Sequence, residues 1–207
     1  MTIELVRTIG VFSLDGSDFE VENNIWIVGD EREVLVIDAA HDHHPIVEAV
    51  GGRSTVAIIA THGHNDHINA ARSLADVLGA PILLHPDDLM LWHEVYPDRS
   101  PDGFLADGMT VSAGGTSLEV IHTPGHTPGG CCFFDAAGGV LFSGDTLFKG
   151  GPGATGRRFS DFPTIIMSIR DRLLVLPDAT RTLPGHGDET TIGAEAHHLP
   201  DWLARGS

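Results

Sequence analysis

Residues 61–67 read THGHNDH and place three histidines and one aspartate within seven positions. The cluster follows an apolar run that ends at Ala60 and precedes a helical pattern, so it occupies a strand-to-helix turn where side chains can converge. Imidazole nitrogens and carboxylate oxygens are ligands that zinc and similar divalent ions accept. The segment offers four candidate ligands: His62, His64, Asp66 and His67. This number is larger than one tetrahedral ion with an open position requires, which indicates two ions.

Three further segments place a candidate ligand beside a glycine at the end of an apolar strand. They contain His126 in HTPGHTPGG, Asp145 in LFSGDTLF and His186 in LPGHGDET. A glycine immediately precedes each ligand, as expected where the backbone turns tightly or approaches another group closely. Together with the first cluster these segments supply seven ligands, a number that suits two ions sharing one bridging carboxylate.

The hydrophobic pattern predicts the order of strands and helices. Apolar, β-branched runs predict strands at Ile25–Val28, Val34–Ile37, Val56–Ile59, Ile82–Leu84, Ser117–His122, Cys131–Phe134, Val140–Ser143 and Arg181–Leu183. Helical spacing predicts helices over Pro45–Val50, Asp66–Leu78 and Phe162–Leu176. This order favours two layers of strands flanked by helices, an α+β arrangement, over one wound sheet.

Composition limits the partners. Twelve Lys and Arg against 29 Asp and Glu give a formal net charge of −17. Such a surface repels phosphate backbones and anionic lipids, so we expect neither nucleic acid nor membrane as a partner. The chain shows no signal-peptide pattern and no membrane-spanning apolar run, which predicts a cytoplasmic protein acting on a small molecule. The adjacent Cys131 and Cys132 are expected to be buried, and the oligomeric state stays open.

The ligand motifs resemble those of the metallo-β-lactamase superfamily, from VIDAA at residues 36–40 to PGHGD at residues 184–188. The resemblance implies an αββα sandwich, with residues 1–207 as a single domain. It also implies the following ligand set: His62, His64 and His126 for one metal, Asp66, His67 and His186 for the other, and Asp145 as the bridge. Asp38 matches a position that orients the ligand turn through hydrogen bonds.

Two departures narrow the branch of the superfamily. Class B β-lactamases carry a cysteine where this chain has Asp145, and flavodiiron oxygen reductases carry a glutamate where it has His64. The remaining similarity is to glyoxalase II-like hydrolases, although only 21 residues follow His186, too few for the C-terminal glutathione-binding domain. The loop GGPGATGRRFSDF is similar to that of short actinobacterial members, which implies mycothiol as a candidate thiol.

The implied activity is a binuclear hydrolase that cleaves thioesters with a metal-bound hydroxide. Asp66 would orient the water and Asp145 would hold the two ions together, with zinc the expected metal and iron or manganese as alternatives. A second hypothesis is a mononuclear iron persulfide dioxygenase, because similar proteins use positions matching His62, His126 and Asp145 as an iron site. A third is a metal-dependent lactonase.

Cationic residues concentrate in the loop Lys149–Asp161. Lys149 is the only lysine of the chain, and Arg157 and Arg158 share its loop. These three residues are candidates for binding an anionic part of the substrate, and ordinary solvated charges are the alternative. The histidines at positions 41–44 precede Pro45, which favours a solvated helix start over a third metal site. His85, without companions at ligand spacing, is expected at the surface.

Overall fold

The computed structural model describes residues 1–14 and 16–206, in which two six-stranded sheets pack face to face. The first sheet has the order β1-β2-β3-β4-β5-β6, formed by Thr2–Leu14, Ser17–Gly29, Glu33–Ile37, Ser54–Ile59, Ile82–Leu84 and Gly103–Phe104. The second has the order β14-β13-β10-β9-β8-β7, formed by Thr190–Thr191, Arg181–Pro184, Val140–Gly144, Cys131–Asp135, Thr116–His122 and Thr110–Ala113. A small hairpin, β11 and β12, spans Leu147–Phe148 and Gly151–Pro152.

Helices cover the outer faces of both sheets. The chain forms α1 to α7 at His43–Val50, Asn65–Ile68, Ala71–Leu78, Leu89–Val95, Phe162–Ser168, Ile192–Ala196 and Leu199–Arg205. A 3-10 turn occupies Pro86–Asp88, and a π-helical turn at Ile169–Leu173 continues α5. None of these helices combines the length and apolar character needed to span a bilayer.

Three apolar clusters account for the layering. Alternate residues of β2 face opposite ways, so Ile25 and Ile27 pack under α1 and α3, whereas Trp26 and Val28 enter the core between the sheets. On the far side, alternate residues of the second sheet pack against α5, the π-helical turn, α6 and α7. The succession of helix, sheet, sheet and helix confirms the predicted αββα sandwich.

Two predicted helices differ from the observed ones. The helix predicted over Asp66–Leu78 breaks into α2 and α3, because the Ala70 N–H donates to Ala39 O instead of continuing the helical ladder. The helix predicted over Phe162–Leu176 is α-helical only to Ser168 and then widens into the π-helical turn. Strand β1 has no counterpart among the predicted strands, since every side chain described in it except Thr8 is at least partly exposed at the sheet edge.

Candidate metal centre

The seven predicted ligands lie together where strands of both sheets end. His62 follows β4, Asp145 follows β10 and His186 follows β13, while His126 lies in the loop between β8 and β9. The strand pairs β3–β4 and β10–β13 are parallel, so side chains that follow them collect at one edge of the sandwich. His64 immediately precedes α2, whose first turn adds Asp66 and His67 to the same edge.

Three histidines form the first ligand group. His64 Nδ1 lies 3.1 Å from His62 Nε2 and 3.1 Å from His126 Nε2. Their rings meet edge to face, with interplanar angles of 81–88°. Ring nitrogens therefore converge on one point from three directions.

The second group consists of Asp66, His67 and His186. His67 Nε2 lies 3.2 Å from His186 Nε2 and 3.6 Å from Asp66 Oδ2. His186 Nε2 lies 3.4 Å from Asp66 Oδ2, so the three atoms form a triangle. Asp145 lies beside both groups, because its carboxylate oxygens are 3.5 Å from His67 Nε2, 3.5 Å from His186 Nε2 and 3.6 Å from His126 Nε2.

These separations fit two divalent ions. Zinc binds imidazole nitrogen and carboxylate oxygen at about 2.0–2.2 Å, so neighbouring ligand atoms around a tetrahedral ion are about 3.4 Å apart. The separations between neighbouring candidate ligand atoms in the structure are 3.1–3.6 Å. In addition, Asp66 Oδ1 and Asp145 Oδ1 are buried without a hydrogen-bond partner among the described residues. Buried carboxylate oxygens are costly to leave unpaired, and a bound cation, or a water bound to that cation, would satisfy them.

Each group also has a set of supporting hydrogen bonds. The non-converging Nδ1 atoms have partners as follows: Thr61 Oγ1 at 3.1 Å for His62, Asp38 Oδ2 at 2.9 Å for His67, Ala154 O at 2.8 Å for His126, and Glu22 O at 2.6 Å for His186. Such partners fix the ring orientation and leave Nε2 for a metal. Asp38 additionally accepts from Thr61 N and Thr61 Oγ1, as its predicted role in orienting the turn requires.

Burial and charge set the protonation of the cluster. Burial, reinforced by neighbouring histidines, lowers the pKa of His62 well below its usual value and that of His64 to about 3, so both imidazoles are neutral. Burial opposes a charge on His67 too, but Asp145, Asp66 and Asp38 outweigh it and raise the His67 pKa well above its usual value. The three carboxylates that favour a positive charge on His67 would equally favour a metal cation bound in place of its proton.

Asp88 is a supporting residue that the sequence pattern did not reveal. Its carboxylate is fully buried and accepts hydrogen bonds from Gly63 N at 2.8 Å, Thr127 Oγ1 at 2.8 Å and Gly129 N at 2.6 Å. Gly63 separates two ligand histidines, and Thr127 follows His126. Asp88 therefore connects both chain segments of the first ligand group.

A cavity of about 100 Å³ opens beside the first ligand group. Its lining is Phe12, His64, His126, Ala154, Arg157, Arg158 and Ser160. Arg157 stacks over Phe19 at 5.1 Å, and Arg158 pairs with Glu94. Lys149 lines a separate depression and pairs with Asp188 at 3.2 Å, so the structure brings two of the three predicted substrate-binding cations to the ligand cluster.

Other histidine groups differ from this centre. His85 is buried rather than at the surface, where we expected it, because its ring stacks on His122 at 4.1 Å with planes only 12° apart. Nearly parallel rings at that spacing direct their in-plane lone pairs along separate planes, which disfavours a shared metal. His44 is exposed and bonds to Asp42, as expected for a solvated helix start, whereas His41 turns inward.

Close approach explains the glycine before His186. A Cβ on Gly185 would lie 2.5 Å from Asp145 Oδ1 and 2.7 Å from the His67 ring, so any larger residue would push the ligands apart. Gly144, before Asp145, has a φ of 48°. Both observations agree with the expectation that these glycines permit close packing or tight turning.

Comparison with known proteins assigns the family. Residues 19–186 match the model of the metallo-beta-lactamase superfamily. The chain belongs to this superfamily. Its members are mostly metal-dependent hydrolases, and their fold binds divalent metals.

Three relatives illustrate the range of this superfamily. The hydroxyacylglutathione hydrolase GloC of Haemophilus influenzae is 33% identical, over 85% of this chain and 89% of its own length. The crystal structure of TTHA1623 in a di-iron-bound form is 33% identical, with a TM-score of 0.74 and coverage of 85% and 93%. BLEG-1, a B3 metallo-beta-lactamase, is 27% identical, with a TM-score of 0.79 and coverage of 94% and 99%.

Proposed function

We propose that this superfamily member is a binuclear, zinc-dependent hydrolase that cleaves thioesters of a low-molecular-weight thiol. The observation that carries the proposal is the geometry of the seven ligands, which form two groups sharing Asp145 at separations suited to divalent ions. The similarity to a hydroxyacylglutathione hydrolase supports the thioester class.

Two bound ions would supply a hydroxide near neutral pH, by lowering the pKa of a bound water from about 15.7 towards 7, and a Lewis acid for the carbonyl. The protein's own side chains would position the attacking water and accept a hydrogen bond from it. Asp66 presents one oxygen to its metal-ligand group and keeps Oδ1 buried and without a partner among the described residues. This oxygen can accept a hydrogen bond from the attacking water and so orient it.

The cavity favours a leaving group that needs no acid. The described side chains lining it are ligand histidines, arginines, a serine, a phenylalanine and an alanine. Arginine stays protonated at any working pH and serine is a poor acid, so neither donates a proton to a departing atom. A thiol has a pKa of about 8.5 and leaves as thiolate without help, whereas alkoxides and amines usually need a proton.

A matched series of substrates tests the proposal. One acyl group joined to a thiol, an alcohol and an amine should give rates that fall steeply in that order, more steeply than in solution. The zinc-loaded protein is the sample, and the Asp76→Ala variant, altered at a residue of α3 whose side chain is 65% exposed, is the control. Equal rates for thioester and oxygen ester would contradict thiolate departure.

The same assays separate the alternatives. Oxygen uptake with a persulfide, without thioester cleavage, would favour the iron dioxygenase hypothesis over the hydrolase. Because a 33% identical relative has a di-iron-bound form, the assays are repeated with iron-loaded protein. Preference for cyclic oxygen esters would indicate the lactonase. Mycothiol and glutathione thioesters with a common acyl group then identify the thiol, and we expect the mycothiol thioester to be the better substrate.

A further inference from the structure

A chain of hydrogen bonds leads from the backbone of His41 to the ligand Asp66. His41 N lies 2.5 Å from Asn69 Oδ1, and Asn69 Nδ2 lies 3.1 Å from His41 Nδ1. His41 Nε2 lies 2.9 Å from Asn23 Oδ1, and Asn23 Nδ2 lies 3.2 Å from Asp66 Oδ2. Apart from Asp66, none of these residues is among the predicted ligands.

The direction of each bond in this chain follows from its first member. A backbone N–H only donates, so the atom of Asn69 that meets His41 N is the carbonyl oxygen, and the Asn69 amide must donate to His41 Nδ1. A neutral imidazole that accepts at Nδ1 carries its proton on Nε2, which therefore donates to Asn23 Oδ1. The remaining amide group of Asn23 then donates to Asp66.

The Asn23 amide nitrogen also caps the second ligand group. It lies 3.4 Å from His67 Nε2 and 3.4 Å from His186 Nε2, besides its bond to Asp66. The three ligand atoms are themselves 3.2–3.6 Å apart, so the nitrogen completes a nearly regular tetrahedron. An amide NH2 has no lone pair for a metal. Asn23 therefore closes one face of the ligand triangle without acting as a ligand.

Two features show that the fold is built around this arrangement. His41 has a φ of 61°, in the left-handed region that costs a non-glycine residue free energy. Its ring packs on the bare backbone of Gly10, where a Cβ would lie 2.3 Å from His41 Nδ1. Burial lowers the pKa of His41, in agreement with the neutral imidazole that the bond directions require.

We propose that Asn23, oriented by His41 and Asn69, is a positioning residue for the second metal. It holds the Asp66 carboxylate towards His67 and His186, and it keeps water and other ligands away from one face of that site. An ion held there would have to take its remaining ligands from the opposite face. The inference rests on the two-metal site proposed above, and it is independent of the substrate.

Stepwise metal titration tests the proposal on the full chain. The metal-free wild type and the variants Asn23→Ala and His41→Asn are titrated with zinc against a competing chelator, and with cobalt followed by its absorption spectrum. Asparagine tolerates the left-handed backbone but is too short to reach Asn23. His44→Asn, in the same turn with its side chain 80% exposed, is the matched control.

We expect Asn23→Ala to weaken one of two metal equivalents by about 10- to 100-fold and to change its cobalt spectrum, with the other equivalent unaltered. His41→Asn should weaken the same equivalent by a smaller factor, and His44→Asn should change neither. If Asn23→Ala fails to fold, His41→Asn carries the test. Equal weakening of both equivalents, unchanged affinities, or a wild type that binds only one ion would overturn the proposal. A wild type that binds two ions but cleaves no thioester would overturn the proposed function alone.

Discussion

Two buried carboxylates outside the ligand set hold the segments of the candidate metal centre in place through hydrogen bonds. Asp38 joins Thr61 to His67, and Asp88 joins the loop of His126 to the turn around Gly63. Neither points at the place where a metal would lie. Each fixes a backbone segment whose neighbours carry ligands, because a carboxylate that accepts several N–H and O–H bonds is fully satisfied in a buried position.

Replacing Asp88 by alanine should cost stability and loosen the first ligand group. The change leaves three buried donors without their acceptor, at about 1–3 kcal/mol each, so we expect a loss of about 3 kcal/mol or more in the free energy of unfolding. Urea denaturation of the metal-free protein measures it. The control is Asp87→Ala, at the exposed neighbouring position. It should lower the free energy of unfolding by less than about 1 kcal/mol, as surface substitutions usually do. Similar losses for both variants would contradict the anchoring role.

Asp145 should decide whether two ions are held. Its carboxylate lies within 3.6 Å of candidate ligand nitrogens from both groups, so Asp145→Ala would remove the negative charge between the two proposed cations. We expect at most one metal equivalent and loss of turnover. Elemental analysis after zinc loading and gel filtration measures the metal, with Asp188→Ala as a charge-matched control. Two retained equivalents in Asp145→Ala would show that it is not the bridge.

At the scale of elements, two segments from distant parts of the chain form the cavity beside the centre. The hairpin of β1 and β2 supplies Phe12, which lies 5.3 Å from the His64 ring, while the loop Lys149–Asp161 supplies two arginines. Asn65 fastens the hairpin to the ligand turn through hydrogen bonds with Ser13 N and Val11 O. The cavity therefore combines an apolar wall with cationic groups.

Removing the cations of this loop should raise KM for an anionic thioester. We expect Arg157→Ala with Arg158→Ala to raise KM by about 10-fold with a smaller change in kcat, because binding of the remote anionic part is lost. A neutral ester of the same acyl group should respond less. The single variant Lys149→Ala tests the third predicted cation by itself, and the triple variant combines it with both arginine substitutions. Unchanged kinetics in the triple variant would rule out this role for the loop.

On the scale of the whole molecule, the proposed metals connect the two sheets. His62, Asp66 and His67 come from the first sheet's crossover, whereas His126, Asp145 and His186 follow strands of the second sheet or lie in its loops. A ligand that binds only the folded state stabilises it according to its concentration over Kd, by about 4 kcal/mol at a thousandfold excess. The metals would thus tie the two halves of the sandwich at one edge.

Removing the metals should lower the melting temperature. For a chain of this size each kcal/mol shifts Tm by about 2–4 °C, so chelation of a zinc-loaded sample should lower Tm by about 8–16 °C. Differential scanning calorimetry before and after chelation, and after restoring zinc, measures the effect. The Asp145→Ala variant should lose clearly less on chelation, since it begins with fewer ions. An unchanged wild-type Tm would contradict this stabilising role.

Sequence patterns alone predicted the candidate ligands, their positions near strand ends and the layered fold. Those features are local: apolar alternation specifies strands, and residues such as His62 and Asp145 directly follow the strands that place them. The resemblance of the motifs to a known family then predicted the sandwich, which the family match and the structure confirm. Within the helix predicted after the ligand turn, helical spacing gave no sign of the break at Ala70.

The residues that support the candidate ligands became evident in the folded structure, because their contacts join distant parts of the chain. Asn23 reaches Asp66 across 43 positions of the chain, and Asp88 reaches Gly129 across 41. An asparagine in a strand or an aspartate in a short helical turn has the same local signature whether it faces solvent or a buried ligand. His41 and His44 show this within one turn, because the open backbone of Gly10, 31 residues earlier by number, gives only His41 a place to pack.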